Sequence, residues 1–323
     1  MSGRVEMRAV AADEAGLRLD RWFRRHYPAL GHGALQKLLR TGQVRVDGRR
    51  AEANDRIAAG QAIRLPPGVT ASIPPDTAAK PALSERDAAD MQRMVIHRDD
   101  LVIMLNKPPG LAVQGGTGTG RHVDGMLDAL RFGREERPRL VHRLDKDTSG
   151  VLLIARTSTA AKRLGEAFRD RETEKLYWAV VVGVPERAEG AIDLPLAKQP
   201  GVRGDRELVQ VDREEGQKAL THFKVLDRAG TRASLLALWP RTGRTHQLRV
   251  HCAAIGCPIL GDAKYGGEAA LLSAVADAGR LHLHARRLSL PHPSGKGQLS
   301  VEAEVPPHFR RTVDAFGFAT AGA

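Results

Sequence analysis

The sequence predicts an α+β protein in two parts: a small basic α/β module at residues 1–65 and a larger domain at 94–323, built on a mixed, mostly antiparallel sheet. Three observations lead there. From about Met94 to Pro306, apolar runs of strand length are separated by short turns more often than by helices, which favours antiparallel or mixed pairing. Between the two parts, residues 66–93 carry Pro66, Pro67, Pro74, Pro75 and Pro81 among Ala, Ser, Thr and Asp. Proline removes donors and restricts its neighbours, so this Pro/Ala-rich stretch reads as an extended linker. Charge is also uneven: residues 1–65 hold 13 Lys and Arg against 7 Asp and Glu, about half the net charge of +12 in a fifth of the 323 residues.

Taken in order, Leu19, Trp22 and Phe23 have helical spacing, and Leu35, Leu38 and Leu39 form a second apolar helical face. Val44 to Arg50 alternates around Asp47-Gly48, a hairpin signal, and Ala62–Leu65 reads as a closing strand. Two short helices, a basic hairpin and a strand resemble the S4 RNA-binding domain. That resemblance implies RNA contacts from Lys37, Arg40, Arg45, Arg49 and Arg50. Beyond the linker, strands are expected at Val102–Leu105, Gly150–Ala155, Leu176–Val182, Ala233–Leu238, Leu281–Leu290 and Leu299–Val305. Helices are expected at Val123–Arg131, Thr159–Asp170, Thr245–Ala254 and Pro307–Phe316.

Composition narrows the function classes. Hydrophobic residues make up 42% of the chain, enough for a core, and a charge of +12 favours a polyanionic partner, nucleic acid before an anionic membrane. Cys252 and Cys257 stand without a disulfide framework, which suits a reducing compartment. No segment has some 18 uninterrupted apolar residues and the first residues lack a signal-peptide run, so a cytoplasmic location without membrane contact is expected.

The most informative stretch is Leu140 to Ile154, containing His142-Arg143-Leu144-Asp145 and then Thr148-Ser149-Gly150 before an apolar run. It reads as a charged loop feeding a strand. Asp145, flanked by Arg143 and Lys146 at the mouth of a strand, suits a carboxylate that stays ionised while facing an anionic partner. Two further blocks are Glu174-Lys175-Leu176-Tyr177 and Arg241-Thr242-Gly243-Arg244-Thr245-His246-Gln247-Leu248-Arg249-Val250-His251. Competing readings are weaker. The Gly115–Gly120 stretch lacks a following Gly-Lys-Thr/Ser, so a flexible substrate-facing loop fits it better than a phosphate cradle. His246, His251, Cys252 and Cys257 do not have zinc-site spacing. Ser149 with His142 and Asp145 lacks a G-x-S-x-G elbow, so no hydrolase triad is expected.

In this order the three blocks closely resemble the pseudouridine synthases that modify large ribosomal and transfer RNA. Asn106-Lys107-Pro108-Pro109-Gly110, Gly261 to Gly266 and Leu283 to Leu288 are supporting matches. Gln114 departs from the pattern, since many relatives place a His there. The resemblance implies that Asp145 is catalytic, that Tyr177 stacks on the target uracil, and that Arg244 pairs with and orients Asp145. It implies that Arg143 fills the RNA stack vacated by the target and that Lys107 contacts RNA. Neither cofactor nor metal is implied, and a monomer is expected. Within the family, the S4-like segment, the proline linker and the Gln114-Gly115-Gly116 loop are most similar to the type C branch, which modifies several uridines of 23S ribosomal RNA. The type D branch, acting on a large-subunit stem-loop, is the runner-up and transfer RNA is third. A non-catalytic RNA-binding ribosome-assembly factor is the alternative from another class.

Overall fold

The computed structural model describes residues 5–28, 30–67, 69, 83–115, 120–170, 172–199, 208–273 and 275–320. The chain divides into two compact units, Met1–Ala82 and Leu83–Ala323.

The first unit contains β1 (Glu6–Ala9), α1 (Leu19–His26), α2 (His32–Arg40), β2 (Arg45–Val46) and β3 (Ala62–Leu65). Its antiparallel sheet has the order β1-β3-β2. Leu19, Trp22 and Phe23 from α1 and Leu35 and Leu39 from α2 bury their faces against Val44, Ile63 and Leu65, as the spacing requires. Asp47 and Gly48 both take positive φ, 48° and 75°, and Val46 bridges Arg49 across them. That is the backbone a two-residue hairpin turn demands, and Asp-Gly is the pair that tolerates it. β1 is not expected from the sequence: it is four residues long, and its polar-apolar alternation buries neither face, since its residues are mostly exposed.

The second unit begins with a correction. Of the expected linker 66–93, residues 68 and 70–82 lie outside the described residues, but its end is helical: α3 spans Glu85–Arg93. Ser84 caps it by accepting the Asp87 N–H, and Met91 is fully buried in the second unit's core. The helix therefore belongs to the domain, which starts near Leu83 rather than Met94. After it come β4 (Val95–Arg98), β5 (Val102–Lys107), α4 (Val123–Met126), β6 (Arg139–Leu140) and β7 (Ser149–Ala155). Next are α5 (Ser158–Arg169), β8 (Glu174–Val182), β9 (Glu189–Asp193), β10 (Leu196–Gln199), β11 (Leu208–Val211), β12 (Leu220–Ala229) and β13 (Ala233–Pro240). The chain closes with α6 (Gln247–Ala254), β14 (Leu283–Pro291), β15 (Gln298–Glu302) and α7 (Pro307–Phe316). The helix expected at Val123–Arg131 is shorter: α4 tightens into a 3-10 turn over Leu127–Leu130.

A ten-stranded sheet runs β4-β5-β7-β14-β8-β13-β12-β9, with β15 beside β14 and β6 beside β7. Among the described pairings only β7 with β14 is parallel, so the sheet is mixed and mostly antiparallel, as expected. Its central strands are buried on both faces. On β8, Leu176, Trp178 and Val180 pack towards Phe309 and Val313 of α7, whereas Ala179 and Val181 pack towards Leu248 and Cys252 of α6. This two-sided cover explains why these strands read as continuous apolar runs.

Candidate active site

One row of residues across the sheet assembles the site. Lys107 pairs with Gly150, Gly150 with Ala285, Ala285 with Tyr177, and Tyr177 with Leu238. Adjacent strands lie ~4.8 Å apart, so five strands that are distant in sequence meet along one line. Gly150 makes the row possible. It sits at φ 107°, and an added Cβ would lie 2.2 Å from the Ala285 carbonyl oxygen. The loop carrying Asp145 leads into Gly150, and the loop from Arg241 to His246 follows the end of β13. Both loops therefore come to Tyr177.

Together they line a cavity of about 760 Å³ that includes Arg143, Asp145, Lys175, Tyr177, Arg244 and His246. Its size falls within the ~300–1,000 Å³ range of small-molecule sites. Tyr177 is half-buried. Burial pushes its phenol above the usual range, and the Asp145 carboxylate pushes it further. The ring thus stays a neutral aromatic face with one O–H donor, unsuited to act as a phenolate base at neutral pH. The ion-pair-range neighbour of Asp145 is His246, whose Nε2 lies 3.9 Å from Oδ1. His246 takes a left-handed φ of 53° at the start of α6, and its Nδ1 is 2.5 Å from the Tyr265 hydroxyl. Burial lowers the pKa of His246, with Asp145 pulling against it.

Beneath this pair, Arg249 holds Asp262 through two hydrogen bonds of 2.8 and 2.6 Å, both groups buried. Burial alone would weaken the guanidinium's charge. The Asp262 pair, with Asp145 in support, raises its pKa instead. His142 accepts the Leu153 N–H through Nε2 at 2.8 Å and stacks on Phe168. Its burial holds it near pKa 3, neutral and structural. Ser149 is bonded to His284 Nδ1 at 2.9 Å, not to His142, so the residues of the rejected hydrolase triad do not come together.

Comparisons with known proteins show the family. A family profile described as RNA pseudouridylate synthase matches residues 101–254. The chain is 36% identical over 315 residues to ribosomal large subunit pseudouridine synthase C of Salmonella typhi, covering 96% of each chain. It is 36% identical over 312 residues to the protein of the same name from Escherichia coli K12, covering 95% of each. The chain belongs to the RNA pseudouridine synthase family. Among solved structures, human RNA pseudouridylate synthase domain containing 4 superposes with a TM-score of 0.61 at 31% identity, over 73% of this chain and 97% of that one.

Placed on this pseudouridine synthase fold, the sequence-derived site residues divide. Asp145, Tyr177, Arg143 and Arg244 line one cavity, and Arg143 is exposed at it. The expected pairing of Arg244 with Asp145 is not formed. The Gln247 side chain accepts the Arg244 backbone N–H at 3.1 Å, and Arg244 Nε donates to the Lys218 carbonyl at 3.2 Å. This turns the guanidinium towards a second cavity of about 450 Å³ beside β10. Lys107, expected on RNA, is fully buried. Its Nζ donates to the carbonyls of Pro108, Leu111 and Lys146 at 2.8, 2.9 and 3.0 Å. It is a tether for the Asp145 loop, out of reach of a polyanion.

In the first unit, Lys37, Arg40, Arg49 and Arg50 are exposed. Arg45 is half-buried and donates to the Gly42 and Gly48 carbonyls at 3.2 and 3.0 Å. Arg45 and Arg50 both approach Gly42, just beyond the turn of α2 that carries Lys37 and Arg40. Sequence reasoning gave His246, Arg249 and Tyr265 no role at the site, although all three stand in quoted blocks. The residues weighed for zinc are otherwise engaged: His251 bonds Thr221 and Leu194, and Cys252 and Cys257 are buried free thiols. Among the described residues, no group of three or more His, Cys, Asp or Glu is arranged to hold a metal. Among the described residues, no helix is long and apolar enough to cross a membrane. Of the loop expected to face substrate, residues 116–119 lie outside the described residues.

Proposed function

We propose that this synthase converts uridines of large-subunit ribosomal RNA to pseudouridine, in the cytoplasm, with Asp145 as the catalytic group. The observation that carries the reading is the convergence of Asp145 and Tyr177 on one cavity, with Arg143 exposed beside them. The high identity to large-subunit synthases along nearly the whole chain supports the ribosomal target. The reaction is an isomerisation: the C1′–N1 bond breaks, the uracil turns, C5 joins C1′, and the proton lost from C5 is balanced by one gained at N1. Nothing is oxidised or hydrolysed.

A carboxylate half-buried in a cavity can only reach the ribose of a nucleotide taken out of its stack, which costs a few kcal/mol. The Tyr177 ring offsets part of that by stacking on the base, and Arg143 by filling the gap left in the RNA. Asp145 acts at the sugar, on C1′ or on the C2′ hydrogen. Arg244, whose terminal nitrogens make no hydrogen bond to the described residues, serves as an RNA-facing cation at the edge of the pocket, turned to the neighbouring cavity beside β10. The first unit acts as an S4-like RNA-binding module. There, Lys37, Arg40, Arg49 and Arg50 form no ion pair with a described residue, and Arg45 stands beside them. Such a patch supplies salt-sensitive phosphate affinity.

Mapping pseudouridine in ribosomal and transfer RNA from cells with and without the gene tests the reading. Sites lost from 23S RNA and restored by wild type but not by Asp145→Asn support it. Loss confined to transfer RNA, or restoration by Asp145→Asn, refutes it.

A further inference from the structure

Strand β8 presents a second functional group on the face that carries Tyr177. Successive strand residues alternate between faces, so Lys175 and Tyr177 share one, roughly 7 Å apart along the strand. Both line the cavity. Glu174, on the opposite face, is engaged by Arg287 at 3.3 Å. Lys175 has no carboxylate partner among the described residues, and the charge beside it is another cation, Arg241. Its half-buried ammonium is weakened by burial first and by Arg241 second. The nearby His142 is neutral, and its Nε2 is already taken by the Leu153 N–H. The end of the Lys175 side chain stands beside the Arg241–Arg244 turn: a Cβ built on Gly243 would lie 4.0 Å from Nζ, an ordinary contact.

Lys175 is half-buried, Arg241 is exposed, and both line the same cavity. Holding the half-buried ammonium beside a second cation without an anion costs the folded protein stability. Such an arrangement is useful where an anion arrives with the substrate. We infer that Lys175 and Arg241 form a seat for one backbone phosphate flanking the target uridine. The inference rests on the reading that the uracil stacks on Tyr177. A nucleotide's base and phosphate lie at opposite ends of its ribose, a span comparable to that between Tyr177 and Lys175. The phosphate would supply the missing counter-charge and fix the nucleotide's direction along β8, so that the ribose between them faces Asp145.

The test is a cycle between protein and RNA. The substrate is an rRNA fragment carrying a mapped target uridine, with the phosphate on its 5′ or its 3′ side replaced by an uncharged methylphosphonate. With wild-type enzyme, one of the two replacements should raise KM about tenfold. Lys175→Met, which keeps the apolar stem, should raise KM about tenfold on natural RNA, reduce kcat less than twofold, and be indifferent to that same replacement. Lys175→Arg should recover most of the loss. Removing a charge that lacks a partner should leave the thermal midpoint unchanged or higher, which a structural role would not do. Additive losses at both phosphates, or a Lys175→Met enzyme with wild-type KM, overturn the seat. Wild-type enzyme that forms no pseudouridine in the fragment removes the functional reading, and the seat with it.

Discussion

Replacing Lys107 with Met tests whether this lysine works inside the protein or on the RNA. The side chain is fully buried, and its three acceptors are the carbonyls of Pro108, Leu111 and Lys146, the last one residue beyond Asp145. Burial lowers its pKa from 10.5 to about 7, against the pull of Asp147 and Asp145. At ~1.4 kcal/mol per unit, that fall makes the charged form cost about 5 kcal/mol in the folded state. The unfolded chain still binds the proton up to the ordinary lysine value, so between these two pKa values it holds more protons than the folded chain. Stability must therefore rise with pH across that window, and the cost is fully present below it.

The absolute stability of Lys107→Met at any single pH mixes lost hydrogen bonds with relieved burial of charge. The slope isolates the ammonium. Denaturant unfolding of wild type and Lys107→Met at several pH values should show the difference moving in favour of wild type by about 2–3 kcal/mol between pH ~7 and ~9. With the tether gone, kcat should fall ~10–100-fold, as small misplacements of a catalytic group commonly cause. The salt dependence of RNA binding should not change. A flat difference across the window would refute the buried-ammonium reasoning. A salt slope reduced by ~0.7, the share of one single-strand phosphate contact, would return Lys107 to the RNA surface.

Three further outcomes follow from the same geometry. Tyr177→Phe keeps the ring and should bind RNA nearly as wild type, whereas Tyr177→Ala should lose ~1–3 kcal/mol of stacking in equilibrium binding; equal, near-wild-type activity in both would remove Tyr177 from the site. Gly150→Ala places a methyl against the Ala285 carbonyl at 2.2 Å, so denaturant unfolding should show a loss of about 3 kcal/mol or more, and an unchanged midpoint would contradict the strand row. In the first unit, burial would raise the pKa of Glu14, but His26, Trp22 and the Ala11 N–H hold it near 2, below its usual 4.5. Its contribution is present above the usual value and lost as pH falls through the folded one. Wild type should therefore lose stability between pH 4.5 and 2 more steeply than Glu14→Gln, and matching profiles would remove Glu14 from the acid response.

Much of the fold was legible because its central strands are apolar on both faces. Gly150–Ala155 and Ala233–Leu238 are found within β7 and β13, and α7 covers the range expected of it. The strands that escaped notice are short or carry charged residues that interrupt the apolar run. β12 carries Lys224, Asp227 and Arg228 among its apolar residues and has a register shift between Val225 and Asp227. α3 escaped for a different reason. Only Met91 among its nine residues is fully buried, so one apolar contact beside a proline-rich stretch gave too little pattern to reveal a helix.

The site was legible in its members but not in their directions. Between Arg241 and His251 nearly every side chain can donate a hydrogen bond or carry charge, so residue type alone could not say which one faces Asp145. The backbone at the helix start decides it. The left-handed turn at His246 directs its ring to Asp145, and Arg249, in the first turn of α6, reaches Asp262. Arg244 lies before that start, in a turn fixed by the Gln247 side chain, and leaves in another direction. Lys107 shows the same limit. A lysine in a loop of a basic protein reads as a polyanion contact, and only the pairing of β5 with β7 shows that the sheet closes over it. Where a carboxylate site is built by loops at strand ends, the ordered motifs identify the participants. The strand register and the first turn of the following helix then assign which cation holds the loop and which faces the carboxylate.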